Sequence, residues 1–219
     1  MLRNFPEITT ALILAAGQGV RLGGEQKAFI EVEGTTFVEI AAQAARRVAS
    51  QVLVGVADES VSRTREILGP NCAVIAGGDS RQQTVEILLA HAKNDMVLIH
   101  DVARPFASDT LFERVLESAW QYGGAVPVVS ATLRDSIALA DGEFLGQPLP
   151  RKDVVLTQTP YAFSREFLMH AMQKARDNGW QDTTITSLVT RAGHRVRAIE
   201  GEESNLKITF PDDLTTLHQ

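Results

Sequence analysis

LILAAGQGVRLGGEQKAF, Leu12 to Phe29, is the stretch on which the fold turns. It opens as an apolar run too short for anything but a buried strand, then breaks into Ala15, Ala16 and Gly17, followed by Gly19, Gly23 and Gly24. Glycine lets backbone N–H groups approach a ligand closely. Arg21 and Lys27 stand in the same loop with little apolar company. A strand feeding a small-residue loop armed with cations is a way to hold a polyphosphate. The plainer alternative is a tight turn with two solvated cations. The stretch is not a dinucleotide fingerprint, because Leu22 occupies the third glycine position, and no Gly-Lys-Ser/Thr closes it as a P-loop.

Downstream, short Val- and Ile-rich runs alternate with amphipathic segments. Strands are expected at Gln51–Val56, Cys72–Ala76, Met96–Ile99 and Gly124–Val129, and helices at Phe37–Ala49, Glu59–Leu68, Ser80–Lys93, Asp109–Gln121 and Ser164–Asn178. Arg195–Glu200 and Leu206–Thr209 read as further strands, and Pro211 opens a short last helix. This alternation implies an α/β fold, doubly wound, with a mostly parallel sheet covered on both faces. Ligands of such sheets bind beyond the carboxyl ends of the strands, where the glycine-bearing loops fall. Between Asp135 and Thr159 the texture changes to alternating segments around Asp141-Gly142, a hairpin signal. The expectation is a single domain over residues 1–219 with a projecting β-arm at about 135–159.

The bulk properties narrow the function. The chain has 219 residues, 44% hydrophobic and 22% charged, enough for a full core. A net charge of −6 argues against a nucleic-acid partner. Cys72 is alone, so neither a disulfide framework nor a thiolate zinc site is available. The N-terminus lacks a signal-peptide pattern and no apolar run reaches the length of a membrane span, so the expected address is the cytoplasm, with no membrane partner.

Two further segments carry polar chemistry. HDVARP, His100 to Pro105, places Asp101 at a strand's end, where an acid suits Mg²⁺ and ribose hydroxyls. Arg104 either meets a substrate phosphate or pairs with Asp101. His100 reads as a packed histidine near the sheet edge. GGDSRQQTV, Gly77 to Val85, is by itself a turn and a helix cap.

AAGxGxRL followed closely by Lys27-Ala28-Phe29 resembles the signature of nucleotidyltransferases that join a nucleoside triphosphate to a sugar phosphate, and most of all the 2-C-methyl-D-erythritol 4-phosphate cytidylyltransferase family. The resemblance implies a Rossmann-like nucleotidyltransferase using CTP, a polyol phosphate and Mg²⁺. It implies catalytic roles for Arg21, Lys27, Arg151 and Lys207. Nucleotide contacts fall to Ala15, Ala16, Gly17, Gly19, Gly77, Gly78, Asp79, Thr84 and Asp101, with Asp101 also serving the metal. Substrate contacts fall to Arg104, Thr159 and Thr183. It also implies a homodimer clasped by the arm; a hairpin with no partner is the alternative. Two departures lie on the acceptor side. Thr183-Thr184-Ile185 stands where the family has a threonine followed by acids, with Asp182 one place ahead, and Tyr161 stands where a glutamine is common. They leave room for another acceptor such as ribitol 5-phosphate, or for a degenerate nucleotide-binding homologue without turnover.

Overall fold

In the computed structural model, residues 5–17, 26–130 and 137–218 are described. Gly19 and Arg21, and the first two residues of the expected arm, lie outside them. β1 (Thr9–Ala15) is buried along nearly its whole length, as a strand covered on both faces must be. Successive side chains of a strand point to opposite faces. Ala11, Ile13 and Ala15 accordingly join one apolar cluster while Leu12 joins the other. A small antiparallel ladder of β2 (Glu31–Val32) and β3 (Thr35–Thr36) stands apart from the main sheet.

β4 (Gln51–Val56) and β6 (Met96–Asp101) pair with β1 in parallel on either side, and β5 (Ala73–Ala76) extends the sheet beyond β4. Beyond β6 lie β11 (Tyr161–Ser164), antiparallel, and β7 (Gly124–Ser130), antiparallel to β11. β10 (Val155–Thr157) pairs with the far part of β7 on the same side as β11, and β12 (Arg197–Glu200) runs parallel to β7 on its outer side. Among the described strands of this sheet only β10 and β11 oppose the common direction, so it is mostly parallel.

One face carries α2 (Phe37–Val48) and α5 (Asp109–Tyr122). Thr36 and Glu39 form a reciprocal capping box that starts α2, and Ser108 caps α5. The other face carries α4 (Arg81–His91), α6 (Arg165–Asn178) and α7 (Ile185–Arg191), packed on Leu12, Leu53, Val97 and Ile99.

Four differences from the sequence reading have local causes. The expected Glu59–Leu68 helix begins with a 3-10 turn at Asp58–Ser60, so its α-helical part, α3, is Val61–Leu68. Polar QDTTITSLVTRAG contains α7, whose Ile185, Leu188 and Val189 recur at helical spacing beneath a surface of hydroxyls. Leu206–Thr209 joins no ladder; the Ile208 N–H is instead spent on the Ala103 carbonyl at 2.8 Å. A short helix, α1 (Phe5–Ile8), precedes β1.

The arm is a separate two-stranded sheet of β8 (Ile137–Asp141) and β9 (Phe144–Leu149). Asp141 pairs with Phe144 across Gly142-Glu143, and Gly142 takes the positive φ of 59° such a tight loop needs at its first position. The returning chain re-enters the main sheet at β10, so the projection ends before Val155 rather than at Thr159.

Candidate active site

Because β1, β5 and β6 are parallel, their carboxyl ends open on one side of the sheet. A cleft of about 360 Å³ lies there, lined by Ala15–Gly17, Lys27, the Gly78–Arg81 turn, Thr84, Asp101 and Lys207. Residues scattered over most of the chain thus meet at one edge.

The floor is built from residues chosen for smallness. A Cβ on Gly77 would lie 2.9 Å from Ala16 Cβ and 2.9 Å from Thr84 Oγ1, so the β1 and β5 loops pack only without it. Thr84 is buried; its hydroxyl accepts from the Gly78 N–H at 3.1 Å and donates to the Ser80 carbonyl at 3.0 Å. Thr84 therefore shapes the loop from beneath. Ser80 caps α4 by accepting from the Gln83 N–H at 3.1 Å, so a helix N-terminus opens beside the glycines.

Asp101 is the electrostatic centre. It is 4% exposed, yet each carboxylate oxygen has a cation: Arg81 donates to Oδ1, and Lys207 Nζ donates to Oδ2 at 2.9 Å. Burial alone would raise its pKa, but Arg81 and then Lys207 outweigh burial and hold the carboxyl well below the usual carboxylate range. Its backbone N–H donates to Thr159 Oγ1 at 3.1 Å, and the Thr159 carbonyl accepts from Asn205 at 2.9 Å. Lys27 also lines the cleft and donates to the Ile208 carbonyl at 2.8 Å, one residue from Lys207. Lys27, Arg81 and Lys207 against Asp79 and Asp101 leave the cleft with a surplus of positive charge, suited to an anion.

Arg104 does not pair with Asp101. It donates to the Asn205 carbonyl at 2.5 Å and the Thr157 carbonyl at 3.4 Å, outside the residues that line the cleft. The cation that Asp101 takes instead, Arg81, carried no role in the sequence reading. Its only signal was its place directly after the capping Ser80. His100 is packed, with its ring 5.0 Å from that of Phe112. It lies on β6, well inside the sheet, rather than near an edge. Burial pulls its pKa down to about 4, keeping it neutral. Arg151 sits on the exposed 3-10 turn after the arm and is not among the residues that line the cleft of its own chain.

Thr183 lies exposed in the bend before α7. Asp182 is engaged already: its N–H donates to Gln82 at 3.2 Å and its carboxylate accepts from Arg191 at 3.4 Å. Thr184 is the N-cap of α7, its hydroxyl accepting from the Ser187 N–H at 3.1 Å. Threonine and aspartate both serve as N-caps, so the lost acid need not cost the helix its start.

A Mg²⁺ ion asks for one or two free carboxylates and keeps its remaining positions for water and phosphate. Among the described residues no three His, Cys, Asp or Glu side chains cluster as ligands. Asp101 has both oxygens bonded to cations. These donors do not by themselves fit a resident metal.

A mostly parallel sheet whose strand ends present a glycine-lined, cation-rich cleft is the architecture of an α/β protein built to hold a nucleotide or other phosphate. A family model described as 2-C-methyl-D-erythritol 4-phosphate cytidylyltransferase matches residues 9–218. The curated protein of that name from Thermus thermophilus is 40% identical over 94% of this chain and 93% of its own. The one from Geobacillus kaustophilus is 35% identical over 93% and 92%. The crystal structure of the Thermus thermophilus protein superimposes with a TM-score of 0.81 at 38% identity, covering 95% of this chain and 96% of that one. The chain belongs to the 2-C-methyl-D-erythritol 4-phosphate cytidylyltransferase family.

Proposed function

We propose that this enzyme transfers CMP from CTP to 2-C-methyl-D-erythritol 4-phosphate, giving CDP-methylerythritol and pyrophosphate for isoprenoid precursor synthesis. The observation that carries the proposal is the cleft itself, with Lys27, Arg81 and Lys207 converging on a small-residue loop around the ionised Asp101. An oxygen of the acceptor's phosphate forms a bond to the α-phosphorus of CTP. The bond from that phosphorus to the α–β bridging oxygen breaks, and pyrophosphate leaves with the electron pair. The phosphate monoester is already anionic near neutral pH, so no general base is needed.

The chain's part is placement and charge. The Gly77-Gly78 turn brings backbone groups to the cytosine edge, Asp79 adds a polar contact, and Thr84 holds the turn in shape. Ala15–Gly17 and Lys27 take the triphosphate, with Arg21 and Gly19 from the same loop. Lys207 meets the incoming phosphate, and Thr159 fixes the backbone of Asp101. We assign Mg²⁺ to the substrate, entering with the triphosphate and bound chiefly by it, where it offsets the charge of the departing pyrophosphate.

The arm exposes Phe144 by 79% and Leu145 by 83%, an apolar tip that water alone serves poorly. The reading is a homodimer in which each arm clasps the other subunit and brings Arg151, with Thr183 nearby, toward the acceptor. No helix among the described residues is long and apolar enough to cross a membrane. A cytoplasmic enzyme suits the lone, buried Cys72.

The test is pyrophosphate release with CTP, UTP, ATP and GTP against a panel of acceptor phosphates that includes ribitol 5-phosphate. CTP with methylerythritol phosphate should give the highest kcat/KM. A preference for another polyol phosphate would reassign the acceptor, and CTP binding without turnover on any acceptor would mark a degenerate homologue.

A further inference from the structure

Arg81 is held at both ends of its guanidinium. One terminal nitrogen donates to Asp101 Oδ1, and the other donates to the phenol oxygen of Tyr161 at 3.2 Å. Tyr161 itself is fixed. It opens β11 opposite Ile99 of β6, is 4% exposed, and packs its ring 5.5 Å from that of Phe163. A phenylalanine would fill the same space. A buried hydroxyl, by contrast, is unfavourable unless hydrogen-bonded, and Arg81 supplies its partner. Burial pushes the phenol's pKa up to about 12, so it remains a neutral acceptor for the guanidinium.

Arg81 needs that second anchor. Its side chain leaves the first turn of α4 on a flexible stem and keeps 27% of its surface in solvent, so water competes for it. While it stays on Asp101, the carboxylate's charge is divided between Arg81 and Lys207. Were it to swing out, the whole of that charge would act on Lys207 Nζ, 2.9 Å away, and hold the ammonium against an incoming phosphate.

We propose that Tyr161 is a positioning residue for the acceptor side of the reaction, keeping Arg81 on Asp101 so that Lys207 stays available to the acceptor's phosphate. The inference rests on the cytidylyltransferase reading of the cleft and extends it to a residue that does not line the cleft itself.

The test combines pyrophosphate-release kinetics with calorimetric CTP binding in the absence of acceptor. Both are run on wild type, Tyr161→Phe, Arg81→Ala and the double variant. Tyr161→Phe should raise the acceptor KM about tenfold, the size of one lost hydrogen bond to a charged group, while the CTP Kd moves less than about twofold. In the Arg81→Ala background the same substitution should add nothing, because its effect passes through Arg81. An unchanged acceptor KM, an equal rise in both backgrounds, or a fall in kcat alone overturns the proposal; the last would indicate only fewer folded molecules. If wild type neither binds nor turns over CTP, the cytidylyltransferase reading falls and takes this one with it. If wild type is active, the failure belongs to Tyr161 alone.

Discussion

His100 makes the stability of this protein depend on pH in a way that can be worked through. The ring is 1% exposed on β6 and packed against Phe112, and its Nδ1 is buried with no hydrogen-bond partner among the described residues. Burial lowers its pKa to about 4, overriding the facing Asp101, which favours the protonated ring, while Arg104 acts both ways, its charge against protonation and its backbone for it. In the unfolded chain the same histidine titrates near ~6.5. Above that pH both states are neutral at this site and it contributes no pH dependence. As pH falls from about 6.5 toward 4, the unfolded chain binds a proton the native state refuses, so stability drops. At pH 5 the linkage amounts to about 2 kcal/mol, rising to about 3 near pH 4 and levelling off below. Urea unfolding at pH 7.5 and 5.0 measures this on wild type and His100→Leu. Every other titrating group is common to the two proteins, so wild type should lose about 2 kcal/mol more than the variant between these pH values. Equal losses would refute the reasoning. Should the variant not fold, the His100 ring resonance of wild type gives a direct answer, with a midpoint near ~6.5 as the refuting result.

Lys27→Ala should lower kcat by ~100- to 1,000-fold with little change in CTP affinity, since its charge counts most as negative charge builds on the α-phosphate; near-normal turnover at saturating substrates would remove it from that role. Asp101→Asn should reduce kcat while leaving the Mg²⁺ concentration for half-maximal rate unchanged, and a shift to higher Mg²⁺ would place the ion on that carboxylate. Gly77→Ala drives a methyl group to 2.9 Å from Ala16 Cβ, so the CTP Kd should rise by about tenfold or more; unaltered binding would mean the two loops part freely. Co-expressing an Arg151→Ala subunit with a Lys27→Ala subunit should restore part of the activity each variant lacks, and verified mixed dimers without recovery would confine each site to one chain.

The fold was legible because β1 and its neighbours follow simple patterns: short β-branched runs, amphipathic helices, and a cap in the Gly77–Val85 segment that Ser80 supplies. The small-residue side of the cleft was legible for a related reason. Gly77 and Gly78 sit where larger side chains are excluded, and such constraints show in the sequence as small residues. Arg81 was not legible, because an arginine after an N-cap looks the same whether it points to water or to a carboxylate 20 residues on. Of the two readings of Arg104, the pairing with Asp101 fails despite a separation of three residues, because Arg104 reaches the carbonyls of Asn205 and Thr157 instead. Helix α7 was hidden by its hydroxyl-rich face, and the end of the arm by β10, whose pairing with β7 spans a long sequence gap.

That pairing has an implication for how the arm is attached. Ser130, at the end of β7, is the ladder partner of Val155, at the start of β10, so the projection leaves and rejoins the sheet at adjacent points. It is a side branch rather than a link in the trunk. Nothing in the register of β7, β10 and β11 depends on how long the branch is. A protein engineer could prune residues 131–154 to a tight turn joining two neighbours, which closing entropy favours over a long excursion. The pruned chain would also lose Arg151, so its residual activity would report what the trunk does without the branch.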